Sequence, residues 1–416
     1  MQTLCILGRQ PAIGLAELES LYGAKNIIPL GETAALVESE VDFARLGSTI
    51  KCGELITTVD STNPQKVFDF CRRALPEYVS DFPDGKIKLG VSLYGLSMPL
   101  EKINANALTL KKVIRGTGRS VRVVPNTDMQ LSSAQTLHNA MTSPVGLELL
   151  FVKNGTQTYI GRVTHVQDID SYTLRDRGRP KRDAFVGMLP PKLAQTIINL
   201  AVGPINKSLD ARDLSLDELP GSRLQTLDST VLDPFCGTGV ILQEAALMGY
   251  GAYGTDISEK MVRYSRDNMN WLFEKFAIHA DVRYETADAT THTWHIPSSP
   301  VPHPPSLFIA AEGYLGQPIG GQHPTPEKLQ EIIHSGNVIV RGFLKNIAPQ
   351  LAPGTRLCIA VPAWSIDNTL YQLPALNELS ELGFERVSFT HAQNSELIYR
   401  RDDQPTGREL LVLTKK

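Results

Sequence analysis

Val231-Leu232-Asp233-Pro234-Phe235-Cys236-Gly237-Thr238-Gly239 decides the fold of the second half of this 416-residue chain. Two apolar residues lead into an acid, a short glycine loop follows, and then comes a run through Val240, Ile241, Leu242, Ala245, Ala246 and Leu247. That is a strand, a tight turn and a helix start. A doubly wound parallel sheet uses this unit to present backbone N–H groups and a helix N-terminus to a nucleotide-like ligand. The order Asp-x-x-x-Gly-x-Gly differs from the Gly-x-Gly-x-x-Gly order of dinucleotide sites.

Outward from this stretch, strands and helices alternate. Strands are expected at 230–232, 252–255, 282–285, 306–310 and 356–361. Ser258 is the expected N-cap of a helix carrying Met261, Val262 and Met269. Thr325-Pro326 opens another, with Leu329, Ile332 and Ile333 at helical spacing. Pro190-Pro191 starts a helix through Leu193, Ile197, Ile198 and Leu200. At the end, 386–390 and 409–413 flank a polar turn containing Asp402-Asp403, which reads as an antiparallel hairpin at a sheet edge. Residues 202–229 are loop-rich, and 297–305 form a proline-rich loop.

Upstream, residues 1–59 carry strand and helix signals in the order β-α-β-β-α-β, a ferredoxin-like pattern whose second helix falls at 42–46. Residues 60–167 read as a further α+β domain, 168–189 as a basic linker with Arg175, Arg177, Arg179, Lys181 and Arg182, and 190–416 as the parallel-sheet domain. A net charge of -3 argues against nucleic-acid binding by bulk charge and leaves a local basic patch open. No Cys-x-x-Cys pair, secretory signal or bilayer-length apolar run is present, so a reducing cytoplasm is expected, with no metal and no membrane.

The glycine loop resembles the first motif of S-adenosylmethionine-dependent methyltransferases, which implies a Rossmann-like class I methyltransferase fold. S-adenosyl-L-methionine brings a carboxylate, an amine, a ribose and an adenine. Gly237 and Gly239 let the backbone approach it, Asp256 with Ile257 follows the second strand to meet the ribose hydroxyls, and Asp288 with Ala289 follows the third to meet the adenine amine. Asp233, with Phe235, stands where family members hold the methionine end. Any one acid alone reads as a strand terminus or helix cap. Three at consecutive strand ends make that joint reading poor.

The rest of the chain resembles the THUMP-containing tRNA guanine-N2 methyltransferases. Arg175-Asp176-Arg177-Gly178-Arg179-Pro180-Lys181-Arg182 and 187–194 are similar to their linker and first catalytic-domain helix. Leu131-Ser132-Ser133-Ala134-Gln135 and Tyr159-Ile160-Gly161-Arg162-Val163 resemble their THUMP domain, and 46–51 the end of their N-terminal domain. Arg400-Arg401 and Gly407-Arg408-Glu409-Leu410 are similar to their terminal hairpin. The resemblance implies a THUMP RNA-binding domain at 60–167, tRNA as partner, and room for the small activating subunit that some relatives need. Lys102, Lys111, Lys112, Arg115, Arg119 and Arg122, with Arg179 and Arg182 in the linker, are the candidate RNA contacts. A solvated helix face is the competing reading of such a run.

One motif departs from the family. After the fourth strand the family carries Asp/Asn-Pro-Pro-Tyr, whose oxygen accepts from the target amine and whose tyrosine stacks on the base. Here Ala311-Glu312-Gly313-Tyr314 stands instead. Three readings follow: Glu312 replaces the acceptor beside Tyr314, a different atom is methylated, or the domain binds without transferring. Methylation of DNA or of a protein amide, which the same class performs, is a further alternative. Cys236 is expected to pack rather than attack, His292, His295 and His303 to be solvated loop residues, and Trp271, Trp294 and Trp364 to anchor core or loops.

Overall fold

Strand β4 (Thr49–Val59) is long enough to pair along both edges, and this shapes the N-terminal half. The structure, a computed structural model, describes residues 2–183, 188–204, 229–295, 307–316, 324–367, 369–401 and 404–416. The readings placed on Gly187, 205–228, 297–305, His303 and Asp402-Asp403 lie outside the described residues. The chain divides into two compact units, Met1–Ala44 with Ser48–Tyr172, and Arg45–Gly47 with Thr173–Lys416.

The first unit runs β1 (Thr3–Leu7), α1 (Pro11–Tyr22), β2 (Ile27–Leu30), β3 (Ala34–Val37), β4, α2 (Pro64–Tyr78), β5 (Ile87–Tyr94), α3 (Leu100–Gly116), β6 (Val121–Val123), α4 (Ser133–His138), β7 (Gly146–Asn154) and β8 (Gln157–Val166). One sheet of eight strands joins them in the order β2-β3-β1-β4-β8-β7-β5-β6. The boundary expected after residue 59 therefore falls at the end of a strand that pairs β1 and β8 at once. β2-β3-β1-β4 is the strand order of the expected ferredoxin-like pattern. Its second helix is reduced to a single 3-10 turn, Phe43–Arg45, because Gly47 follows before a costly helical nucleus can propagate. Across the sheet, Lys51 and Glu148 form a fully buried ion pair, with Ser92 and Thr136 hydroxyls donating to the same carboxylate.

The stretch expected as a linker contains a helix, α5 (Ile169–Arg177). Then come α6 (Pro191–Val202), β9 (Thr230–Asp233), α7 (Val240–Leu247), β10 (Gly251–Asp256), α8 (Glu259–Phe276), β11 (Val282–Thr286), β12 (Leu307–Glu312), α9 (Pro326–Ile347), β13 (Arg356–Ile366), β14 (Thr369–Tyr371), β15 (Phe384–Arg386), β16 (Ile398–Tyr399) and β17 (Thr406–Lys415). The sheet order is β11-β10-β9-β12-β13-β17-β15. β9 to β13 pair in parallel, and β17 runs antiparallel to both β13 and β15. This is the fold of a Rossmann-like class I methyltransferase. The winding reverses between β9 and β12, so the crevice at their carboxyl ends is where such a sheet takes a ligand.

The end of the chain differs in detail from the expected hairpin. β15 stops at Arg386, and β17 lies inside the sheet, contacting β13, β15 and the short β16. α9 holds its buried stripe at Leu329, Ile332, Ile333, Gly336, Val340, Phe343, Leu344 and Ile347, the spacing of one helix face. Thr325 caps it by accepting from Lys328 N–H.

Candidate active site

β9, β10 and β11 are parallel, so the residues that follow them emerge at one edge. Asp233 closes β9, Asp256 closes β10, and Asp288 stands two residues beyond β11. A cavity of about 820 Å³ opens there, and all three acids line it. Phe235, Gly237, Ile257, Ala289, Glu312 and Tyr314 complete the expected residues on its wall.

The turn after β9 is built around two carboxylates. Asp233 Oδ1 accepts from Phe235 N–H at 3.1 Å, and Gly237, at φ 49°, donates its N–H to Asp256 Oδ2 at 3.0 Å. Asp256 Oδ1 accepts from Ser258 N–H at 2.9 Å. Ser258 stands at the N-cap of α8 as expected, but its side chain makes no capping bond; the preceding aspartate does the orienting. Gly239 does not line the cavity. It sits in the left-handed region at φ 84°, and a Cβ there would meet Ser265 Oγ at 2.3 Å, so its glycine serves helix packing.

The three acids have different electrostatics. Asp233 is buried, and its carboxyl is held well above the usual range, first by desolvation and further by the charges of Asp256 and Glu312. Desolvation also raises Asp256, against the two backbone donors. Asp288 is exposed and lowered, because the Thr290 hydroxyl and N–H both donate to it. Each Asp256 oxygen keeps a lone pair for a vicinal diol. Much of the remaining wall is apolar. Among the described residues seven large hydrophobics are exposed, and three of them, Ile257, Tyr314 and Val338, line this one cavity. Phe235 is braced from below by Phe343 of α9, ring centroids 5.2 Å apart. Acids and exposed apolar side chains lining one cavity fit S-adenosyl-L-methionine, whose amine and sulfonium are cationic and whose adenine is planar.

At the fourth strand, Glu312 ends β12 and is anchored by Gly313 N–H donating to Ala360 O at 2.9 Å. Its carboxylate is paired with Arg408 of β17, the two side chains only 15% and 13% exposed. Tyr314 is 39% exposed and presents its ring to the cavity. Ala311 is fully buried in β12.

The basic residues separate. Lys102, Lys112, Arg115 and Arg122 are exposed and Lys111 is half-buried, on α3 and the edge strand β6. Arg119 is committed elsewhere: its guanidinium donates to the Phe82 and Pro83 carbonyls. Arg179 is 3% exposed, which removes it from a surface phosphate. Burial lowers its basicity against the pull of Asp176. Arg182 is exposed. His292 is not a solvated loop residue: it packs edge-on to Trp294 and its carbonyl accepts from Asn346 and Gln350. Cys236 is buried on the cavity wall, with its thiol pushed well up by desolvation, which opposes nucleophilic attack. Trp294 and Trp364 are buried.

Sequence reasoning missed three features. Val338 and Ile339 of α9 reach the cavity; the signal was an apolar pair off the buried stripe. Asp183 and Lys260 line it as an ion pair at 2.8 Å, and 77 residues of separation hid them. The partner of Glu312 was quoted only within a resemblance.

Comparison with known proteins adds the following. A family described as DNA methylase matches residues 124–267, about a third of the chain. The chain is 35% identical over 96 residues to the tRNA (guanine(10)-N2)-dimethyltransferase of Methanothermobacter thermautotrophicus, covering 23% of this chain and 22% of that one. It is 32% identical over 102 residues to the enzyme of the same name from Pyrococcus abyssi, covering 24% and 22%. The chain thus aligns with about a fifth of the length of these curated relatives. Among solved structures, TrmN from Thermus thermophilus is similar over 100% of both chains, with 17% identity and a TM-score of 0.49.

Proposed function

We propose that this chain is an S-adenosyl-L-methionine-dependent tRNA methyltransferase that modifies the exocyclic N2 of a guanosine in the tRNA body. The observation that carries the reading is the convergence of Asp233, Asp256 and Asp288, from three consecutive parallel strands, on one cavity beside Tyr314. The donor, when bound, supplies an electrophilic methyl group. Asp256 accepts from the ribose hydroxyls, Asp288 from the adenine amine, and Asp233 faces the cationic methionine end. Ile257 and Phe235 shield the donor from water. Tyr314 stacks on an extruded base, and Glu312 accepts from its amine.

In this reading residues 60–167 are a THUMP domain that docks tRNA, with Lys102, Lys111, Lys112, Arg115 and Arg122 as its phosphate contacts, and the site of action is the cytoplasm. The tRNA dimethyltransferases named above support the substrate class. No helix among the described residues is long and apolar enough to cross a membrane, and no cluster of three or more of their His, Cys, Asp and Glu residues is placed to hold a metal ion.

The test is transfer of labelled methyl from the donor to bulk tRNA by the purified chain, followed by mass spectrometry of the nucleosides. N2-methylguanosine is the expected product. Cofactor binding without incorporation into tRNA, with or without a small activating subunit, overturns the reading. Transfer to a different base atom is a second reading, favoured by the replacement of two prolines by Glu312 and Gly313 and by the engagement of Glu312 with Arg408. The same mass spectrum separates the two.

A further inference from the structure

Glu312 and Arg408 are not neighbours in the sheet. β12 and β17 lie on opposite sides of β13, and the register sets Glu312 beside Ala360 and Arg408 beside Pro362. Both intervening residues are short, so the arginine side chain can cross β13 and reach the carboxylate at the cavity wall. Pro362 costs no ladder bond toward β12, because that strand has ended at Glu312. Arg408 Nε donates to Glu312 Oε1; Oε2 accepts from no described donor. The adjacent acid on β17, Glu409, is held by Arg386 and Gln372 and does not share this arginine.

We infer that Arg408 is a positioning residue for this site: it orients the Glu312 side chain with one oxygen engaged and leaves Oε2 as an acceptor, so the cavity selects a ligand edge that carries an N–H donor. The inference deepens the reading above and rests on it. Its physical basis is charge. Glu312 is nearly buried, and the buried carboxyl of Asp233 feels its charge. The cavity that Glu312 lines also carries Asp233, Asp256, Tyr314 and the uncharged Val338 and Ile339 of α9, and Arg408 is the cation paired with Glu312. Without it, the Glu312 side chain loses the partner that orients it, and its free oxygen is no longer held in one place on the cavity wall.

The experiment compares the wild type, Arg408→Met, Arg408→Lys and Glu312→Gln by calorimetric titration with S-adenosyl-L-methionine, with kcat and KM for tRNA measured in parallel. Arg408→Met is expected to bind the donor within about threefold of the wild type, while its kcat falls at least tenfold. Arg408→Lys restores most of the activity, and Glu312→Gln stays low. An Arg408→Met kcat within twofold of the wild type, or an Arg408→Lys variant as impaired as Arg408→Met, overturns the inference while leaving cofactor binding intact. Absence of any binding heat with the wild type overturns the underlying reading and this inference together.

Discussion

The backbone N–H of Gly237 and the carboxylate of Asp256 are joined at 3.0 Å, which makes the turn after β9 and the tip of β10 one hydrogen-bonded unit. Asp256 spends its other oxygen on Ser258 N–H at 2.9 Å. The side chain proposed to meet the ribose therefore also shapes the glycine loop. Asp256→Ala should lose both roles. Hydrogen bonds from a charged partner are worth about 1.5–3 kcal/mol each. The unliganded variant should melt several degrees lower, and donor affinity should fall at least tenfold by calorimetry. Asp256→Asn keeps two acceptor lone pairs and only one oxygen, so it should lie between. A variant that melts like the wild type would show that the loop holds its shape unaided.

Asp233 makes the opposite trade. Its folded-state pKa is raised, chiefly by desolvation, so the native protein holds this proton more tightly than the unfolded chain does. Stability must then fall as pH rises from the unfolded carboxyl value through the raised one. Asp233→Asn removes that penalty. It should melt higher than the wild type at pH 8 in the absence of ligand, match it near pH 3.5, and bind the cationic donor poorly. Thermal scans at the two pH values check the sign. A variant less stable at pH 8 would mean that the carboxylate is compensated in the unliganded protein.

Much of this site was legible because a parallel sheet turns sequence order into spatial order. Once Asp233, Asp256 and Asp288 were placed at consecutive strand ends, their convergence followed. What was hidden needed contacts across the chain. The Glu312–Arg408 pair depends on which strand lies between β12 and β17, which no local pattern states. Gly239 reads like Gly237 in the motif, yet the structure gives one to helix packing and the other to the cavity. Arg179 and Arg119 sit among solvated arginines in a charge run, and only tertiary structure shows one buried and the other tied to carbonyls.

Arg175 and Glu244 form a second buried pair, Nε to Oε1 at 2.8 Å, with side chains 10% and 1% exposed. Burial pushes Glu244 up to about 7 even against the attraction of Arg175. Removing one partner of such a pair strands the other, at a cost of about 3–5 kcal/mol. Arg175→Met should destabilise the second unit by that order in urea titrations. The lone Glu244 would hold its proton still more tightly, so the defect should be small near pH 5 and grow as pH rises past 7. Glu244→Gln in the same background should recover much of the loss. A defect that does not change with pH would assign the loss to packing of the arginine stem.

The basic run on α3 and β6 separates into residues that can meet a phosphate and one that cannot. Lys111, Lys112 and Arg115 lie within about one turn of α3, with Leu108 50% exposed beside them. Reversing these three charges should weaken tRNA binding at 0.1 M salt by at least tenfold. The slope of log K against log salt should become shallower by about 2–3, since each phosphate contact contributes about 0.7–0.9. Arg119→Ala predicts the reverse pattern. Its guanidinium holds the Phe82 and Pro83 carbonyls, so the variant should melt lower and keep the wild-type salt slope. Binding by the triple variant that matches the wild type across the salt series would make this helix face a solvated one, and the tRNA would have to dock elsewhere.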